Sequence, residues 1–195
     1  MNLINNIKQT FTDSIELKQN AVLALTPLIL DAGNMLVDCI KTDNKILTCG
    51  NGGSACDAQH FTGELVNRFM IERDGLPAIS LTADAPLLTA IANDYAYQDI
   101  FSKQIKALGK GGDVLLAIST SGKSPNVINA IKQAHRLNIR VILLTGEDSP
   151  AIRDILSDDD IVICVPSKAT PRIQEVHILI IHCLCDLIDK RLFGA

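Results

Sequence analysis

Tryptophan is absent from this 195-residue chain, and the other aromatics are five Phe and two Tyr. A core must therefore be built from Ile, Leu, Val and Ala. A nucleic-acid surface that stacks bases on rings has too few rings to use. There is no basic excess either. The chain has 18 Lys and Arg against 22 Asp and Glu, a formal charge of −4, the wrong sign for a phosphate backbone. No CxxC pair occurs among Cys39, Cys49, Cys56, Cys164, Cys183 and Cys185. Most of them lie in apolar runs, so they are expected to be small buried hydrophobes with reduced thiols, as in a cytoplasmic protein. The N-terminus lacks the apolar stretch of a signal peptide. The greasiest run, 176–187, is broken by His177, His182 and Asp186, which excludes a bilayer span there. A soluble protein with neither a nucleic-acid nor a membrane partner is expected.

The length suits one domain that buries about 70% of its unfolded surface, with no need of a disulfide or metal staple. Apolar positions Leu3, Ile4, Ile7, Phe11, Ile15 and Leu17 predict an amphipathic helix over 2–19. A second helix is predicted over 21–41, with Pro27 starting its main body or kinking it. Beyond this the texture changes to short β-rich runs at 45–49, 78–82, 114–120, 140–145 and 161–165, separated by helical stretches such as 124–137. Strands alternating with helices predict an α/β fold, a parallel sheet covered on both faces. The final stretch, 172–192, reads as a helix apolar nearly all round, hence buried in a core or against another subunit. Three strand ends lead through Thr82 to Pro86, Ser121 to Pro125 and Thr145 to Pro150 into helix starts. The acidic stretch 157–160 reads as a solvated turn.

Ligands of open parallel sheets sit beyond the carboxyl ends of the strands, where helix N-termini point outward. Two such ends are rich in Gly, Ser and Thr: Cys49-Gly-Asn-Gly-Gly-Ser54 and Ser119-Thr-Ser-Gly-Lys-Ser124. The glycines permit a tight turn with exposed amides, Ser54 is a candidate helix cap, and the second loop offers four hydroxyls. With neither a complete nucleotide P-loop nor a GxGxxG run, the pair suits a sugar phosphate better than a nucleoside triphosphate. Immediately after the first loop, His60 and Glu64 stand four residues apart on one helix face, with Asp57 one turn earlier. Such a pair is a zinc-site spacing and equally a surface pair. His182, inside an apolar stretch, is either a core histidine bonded to a carbonyl or a functional group, and His135 reads as surface.

The runs Cys49-Gly-Asn-Gly-Gly-Ser-Ala-Cys-Asp-Ala-Gln-His60-Phe, Ala92-Asn-Asp94, Gly112-Asp-Val-Leu-Leu-Ala-Ile-Ser-Thr-Ser-Gly122 and Arg172-Ile-Gln-Glu-Val-His177 resemble the phosphoheptose isomerases of the sugar-isomerase (SIS) domain superfamily over nearly the whole chain. The resemblance implies a five-stranded parallel sheet flanked by helices, with 1–44 as an N-terminal helical oligomerisation segment and 45–195 as the SIS domain. It also implies a homotetramer with active sites at subunit interfaces. The implied activity is aldose–ketose isomerisation of sedoheptulose 7-phosphate to D-glycero-D-manno-heptose 7-phosphate, a first step toward nucleotide-activated heptose.

By the same resemblance, one Zn2+ per subunit is held by His60, Glu64, Gln174 and His182, and Glu64 and His182 form the acid/base pair. Substrate meets Asn51, Gly52, Gly53, Ser54, Glu64, Asn93, Asp94, Ser119, Thr120, Ser121, Ser124 and Gln174. Pro171 departs from the pattern, since some members carry Asp there. Gln174 and His182 lie ~12 Å apart along a helix axis at 1.5 Å per residue, so one of them is a candidate to come from a neighbouring subunit. A second resemblance, at Leu88 to Asp94 and Cys183 to Asp189 with Leu192 and Phe193, is to the DnaA initiator-associating proteins. These are binding scaffolds of the same fold that lack the metal and acid/base residues. Under that alternative the partner is a replication initiator protein.

Overall fold

The computed structural model describes residues 2–146 and 150–194. Five parallel strands form one sheet: β1 (Ile46–Gly50), β2 (Ala78–Ser80), β3 (Val114–Ser119), β4 (Arg140–Thr145) and β5 (Ile161–Cys164), in the order β2-β1-β3-β4-β5. Register is continuous, with Ile46 beside Val114, Val114 beside Arg140 and Ile142 beside Ile161. The strands match the predicted runs to within two residues because apolar side chains are needed on both faces. Along β3, Val114, Leu116 and Ile118 belong to one core while Leu115 and Ala117 belong to the other.

Helices α1 (Leu3–Lys41), α2 (Gly53–Val66) and α7 (Thr170–Phe193) supply the first core. Helices α3 (Ala85–Asp94), α4 (Ser102–Leu108) and α5 (Pro125–Arg136) cover the opposite face. A short α6 (Pro150–Arg153) precedes β5. The residues between Thr145 and Pro150 that were expected to start it, Glu147, Asp148 and Ser149, lie outside the described residues.

Several expectations change. The two predicted N-terminal helices are one, 39 residues long, about 58 Å at 1.5 Å per residue. Pro27 cannot donate to Leu23 O, yet the helix runs through it, and Thr26 Oγ1 donates to Val22 O at 2.6 Å on the adjoining turn. Its second half is held by burial of Ala32, Leu36, Val37 and Cys39 against α7 and the sheet. This helix, rather than 176–187, is the stretch long and apolar enough to cross a membrane. Only 39% of its most apolar window is buried in the core. Its first half leaves Leu3, Ile4, Ile7 and Phe11 exposed.

The 157–160 turn is not simply solvated. The Asp160 carboxylate is buried and accepts from Val141 N at 2.9 Å, Ser157 N at 2.9 Å and His135 Nε2 at 2.8 Å. His135 is therefore a tether between α5 and this turn. Cys39, Cys49, Cys56, Cys183 and Cys185 are free thiols. Burial pushes the Cys39 thiol up to about 11 and those of Cys49 and Cys185 to about 12, which leaves them inert. Cys56, by contrast, is exposed on α2.

Candidate active site

The chain leaves β1 toward β2 on one side and returns to β3 on the other, so the strand order reverses between β1 and β3. Ligands of open α/β sheets bind at this crevice. The two Gly/Ser loops are the ones that border it.

After β1, Gly52 takes φ 55°, a left-handed conformation that favours glycine, and caps α2. Ser54, expected as the cap, instead lies buried in the first turn with its N–H on Asn51 O at 3.0 Å. Gly53 has a different reason to lack a side chain, since a Cβ there would stand 2.4 Å from Gln174 Nε2. That close approach brings the N-terminal end of α7 onto the start of α2.

After β3, Ser119 Oγ donates to Ser124 Oγ at 3.3 Å, Ser121 Oγ accepts from Lys123 N at 3.2 Å, and Thr120 O accepts from Gly146 N at 3.1 Å. Ser119, Thr120, Ser121 and Ser124 thus lie on one short stretch ahead of α5, where the hydroxyls of Ser119 and Ser124 meet. Asn93 and Asp94 sit exposed at the end of α3, bonded to each other at 2.9 Å. The 3-10 turn that follows, Tyr97–Asp99, reaches the first loop through Tyr97 OH on Asn51 Oδ1 at 3.2 Å.

His60 on α2 and His182 on α7 meet across the two helices. His60 Nε2 lies 2.9 Å from Glu64 Oε1. The His60 and His182 rings meet edge to face at 5.2 Å between centroids, and Phe69 stacks on His182 at 5.7 Å. Gln174, His60, Asp57, Cys56, Pro171 and Ile178 line one cleft of about 490 Å³. In it Asp57 Oδ2 is buried with no protein partner, and burial raises the carboxyl to about 6 against the opposing pull of His60. The core histidine bonded to a carbonyl is His177 rather than His182. It is fully buried, its Nε2 donates to Thr145 O at 3.2 Å, and burial lowers it to about 4. His182 is only half-buried and points at His60.

A SIS-domain family model matches residues 10–146. The phosphoheptose isomerase of Alkalilimnicola ehrlichii is 55% identical over 195 residues, covering 100% of both chains. The chain belongs to the phosphoheptose isomerase family of SIS-domain enzymes. Two solved phosphoheptose isomerases share its fold. The Neisseria gonorrhoeae structure has a TM-score of 0.92 and 48% identity over 96% of this chain and 99% of that one. The Francisella tularensis structure has a TM-score of 0.95 and 45% identity over 97% and 100%. Membership makes the chain a sugar-phosphate isomerase.

The metal that family resemblance implies can be tested against the residues present. Two imidazoles, a carboxylate and an amide oxygen are donors that zinc accepts. Glu64 touches His60, His60 touches His182, and Gln174 shares the cleft with His60. Among the described residues no three His, Cys, Asp or Glu side chains are already gathered in metal-holding geometry, His60 Nε2 being engaged by Glu64. The donors fit in kind and in neighbourhood.

Sequence reasoning missed four residues of this phosphoheptose isomerase site. Asn126 and Tyr97 hold Asn51, Phe69 covers His182, and Arg73 binds the end of α2. The only sequence signal for any of them is the Asn that follows Ser124 and Pro125 in the first turn of a helix.

Proposed function

We propose that the chain interconverts sedoheptulose 7-phosphate, a ketose, and D-glycero-D-manno-heptose 7-phosphate, an aldose, as a step toward activated heptose. The observation that carries this is the meeting of His60, Glu64 and His182 on α2 and α7, with α2 itself starting from the first Gly/Ser loop. The names of the relatives support the same substrate.

Isomerisation moves one proton between C1 and C2 and exchanges protons between O1 and O2 through a cis-enediol. Glu64 takes the C1 proton of the ketose, exchanges it with solvent and delivers a proton to C2, and His182 serves the oxygens. Positioned groups of this kind are each worth about 10²–10⁴-fold in rate. His60, Glu64, Gln174 and His182 would hold a divalent cation such as zinc, which would supply Lewis-acid polarisation of the carbonyl. The contact of His60 with His182 and its shared cleft with Gln174 support one chain supplying all four ligands. The α2 N-terminus and the hydroxyls of Ser119, Thr120, Ser121 and Ser124 hold the remote phosphate, whose binding aligns the reacting end. Asn93 and Asp94 complete the sugar pocket.

Assembly as a homotetramer through residues 1–44 is part of this reading. Exposed Leu3, Ile4, Ile7 and Phe11 on α1 support it, as does an apolar hollow of about 380 Å³ between α1 and α7 lined by Val22, Leu25, Ile29, Val176 and Leu179. Replacing Ser121 and Ser124 together by Ala is expected to raise KM about tenfold or more while changing kcat little, since two hydrogen bonds to a charged group are lost. Steady-state kinetics check it, and an unchanged KM removes the hydroxyl cradle from the account.

A further inference from the structure

The contact that fastens the two Gly/Ser loops together lies outside both the acid/base group and the hydroxyl cradle. Asn126 is 2% exposed in the first turn of α5. Its Oδ1 accepts from Val127 N at 3.0 Å. A backbone N–H can only donate, so this bond fixes which end of the amide is oxygen. Asn126 Nδ2 then donates to Asn51 Oδ1 at 2.8 Å, and Asn51 Nδ2 returns a bond to Asn126 Oδ1 at 2.8 Å. Tyr97 OH is a further donor to Asn51 Oδ1. Each amide oxygen takes two donors, and the orientation of both amides follows from one backbone N–H.

We propose that Asn126 is a positioning residue for sugar-phosphate binding. Through Asn51 it locks the β1–α2 loop to the β3–α5 loop, so that the amides of residues 52 and 53 and the hydroxyls of Ser119, Ser121 and Ser124 meet the ligand as one preformed surface. This rests on the reading of those loops as the substrate site. A surface already fixed in its bound shape spares the ordering cost of binding. Its polarity matters as much as its rigidity. Asp at position 126 keeps the shape and the acceptor for Val127 N, but it sets a carboxylate oxygen against Asn51 Oδ1 and adds negative charge beside an anion site.

The test is steady-state isomerisation of sedoheptulose 7-phosphate with inorganic phosphate as competing ligand, on wild type, Asn126→Ala, Asn126→Asp and Tyr97→Phe, together with thermal melting. Asn126→Ala is expected to raise KM and the phosphate inhibition constant about tenfold with kcat little changed, as loss of its two bonds to Asn51 would give. Asn126→Asp is expected to raise both further although it is the isosteric variant, and Tyr97→Phe to change them less than either. A role in packing alone predicts the reverse order, with Asp nearest wild type and a lowered melting temperature at unchanged KM. Either result overturns the proposal. Should Asn126→Ala fail to fold, Asn126→Ser carries the same comparison with Asp. A wild type that neither turns over the ketose nor binds phosphate overturns the functional reading, and this inference with it. An active wild type matched by its Asn126→Ala variant overturns this inference alone.

Discussion

Glu64→Gln is expected to lower kcat by about 10²–10⁴-fold, the contribution of a positioned general base, while the fold stays intact. The side chain is 25% exposed and its recorded bond is to His60 Nε2. Gln has the same length and its carbonyl oxygen still accepts from His60, so little packing is lost. What disappears is the carboxylate that can take a proton from carbon. Glu64 is also a proposed metal ligand, so bound zinc has to be measured beside the rate. A variant that keeps its zinc and loses its turnover isolates the proton transfer, whereas parallel loss of both assigns the effect to metal binding. His182→Gln is expected to abolish turnover likewise, with the elution volume in size-exclusion chromatography unchanged from wild type. Full activity in either variant removes that residue from the chemistry.

Arg73→Ala is expected to be the most destabilising substitution near the site, at about 3–5 kcal/mol, the usual loss when one partner of a buried ion pair is removed. The Arg73 side chain is 1% exposed and its Nε donates to Asp189 Oδ1 at 2.7 Å, the Asp189 side chain being only 4% exposed. The guanidinium also donates to Glu64 O at 2.8 Å and to Leu65 O at 2.9 Å. These are carbonyls of the last turn of α2, which no helical N–H can reach. A cation there also opposes the negative end of the helix dipole. Truncation would strand the Asp189 carboxylate, whose Oδ2 is already without a partner, and would uncap the helix that carries His60 and Glu64. Urea unfolding reads the loss directly. Arg73→Lys is expected to lose less, because it keeps the charge on Asp189 while giving up the fork of carbonyl bonds. Equal midpoints for wild type and Arg73→Ala would show that the clamp carries no weight.

The parallel sheet was legible because a strand buried on both faces needs a short, nearly continuous apolar run, and the five runs here are bounded by Gly, Ser, Pro or charged residues. The two loops were legible for a related reason. Gly52 and Gly53 occupy positions where backbone conformation or close approach excludes a side chain. His60 and Glu64 were legible because i,i+4 spacing fixes their separation within a single helix.

Whatever depended on a distant partner was not legible. Pro27 looks like a boundary in sequence, yet burial of the second half of α1 holds a single helix through it. Periodicity places both His177 and His182 in an apolar stretch, and only the packing of α7 against the end of β4 decides which imidazole is sealed in the core. Asp160 lies in an acidic run that reads as solvent-facing until three donors from α5, β4 and its own turn close on it. Asn126 and Asn51 are 75 residues apart in the chain, a pairing no local pattern encodes.

The most direct measurement is incubation of the purified protein with sedoheptulose 7-phosphate in D2O, with the products followed by NMR. An aldose 7-phosphate is expected to form with deuterium incorporated at C2, as solvent exchange from the base requires. It should form in the zinc-supplemented sample and cease on chelation. Unchanged ketose in the presence of zinc would contradict the account.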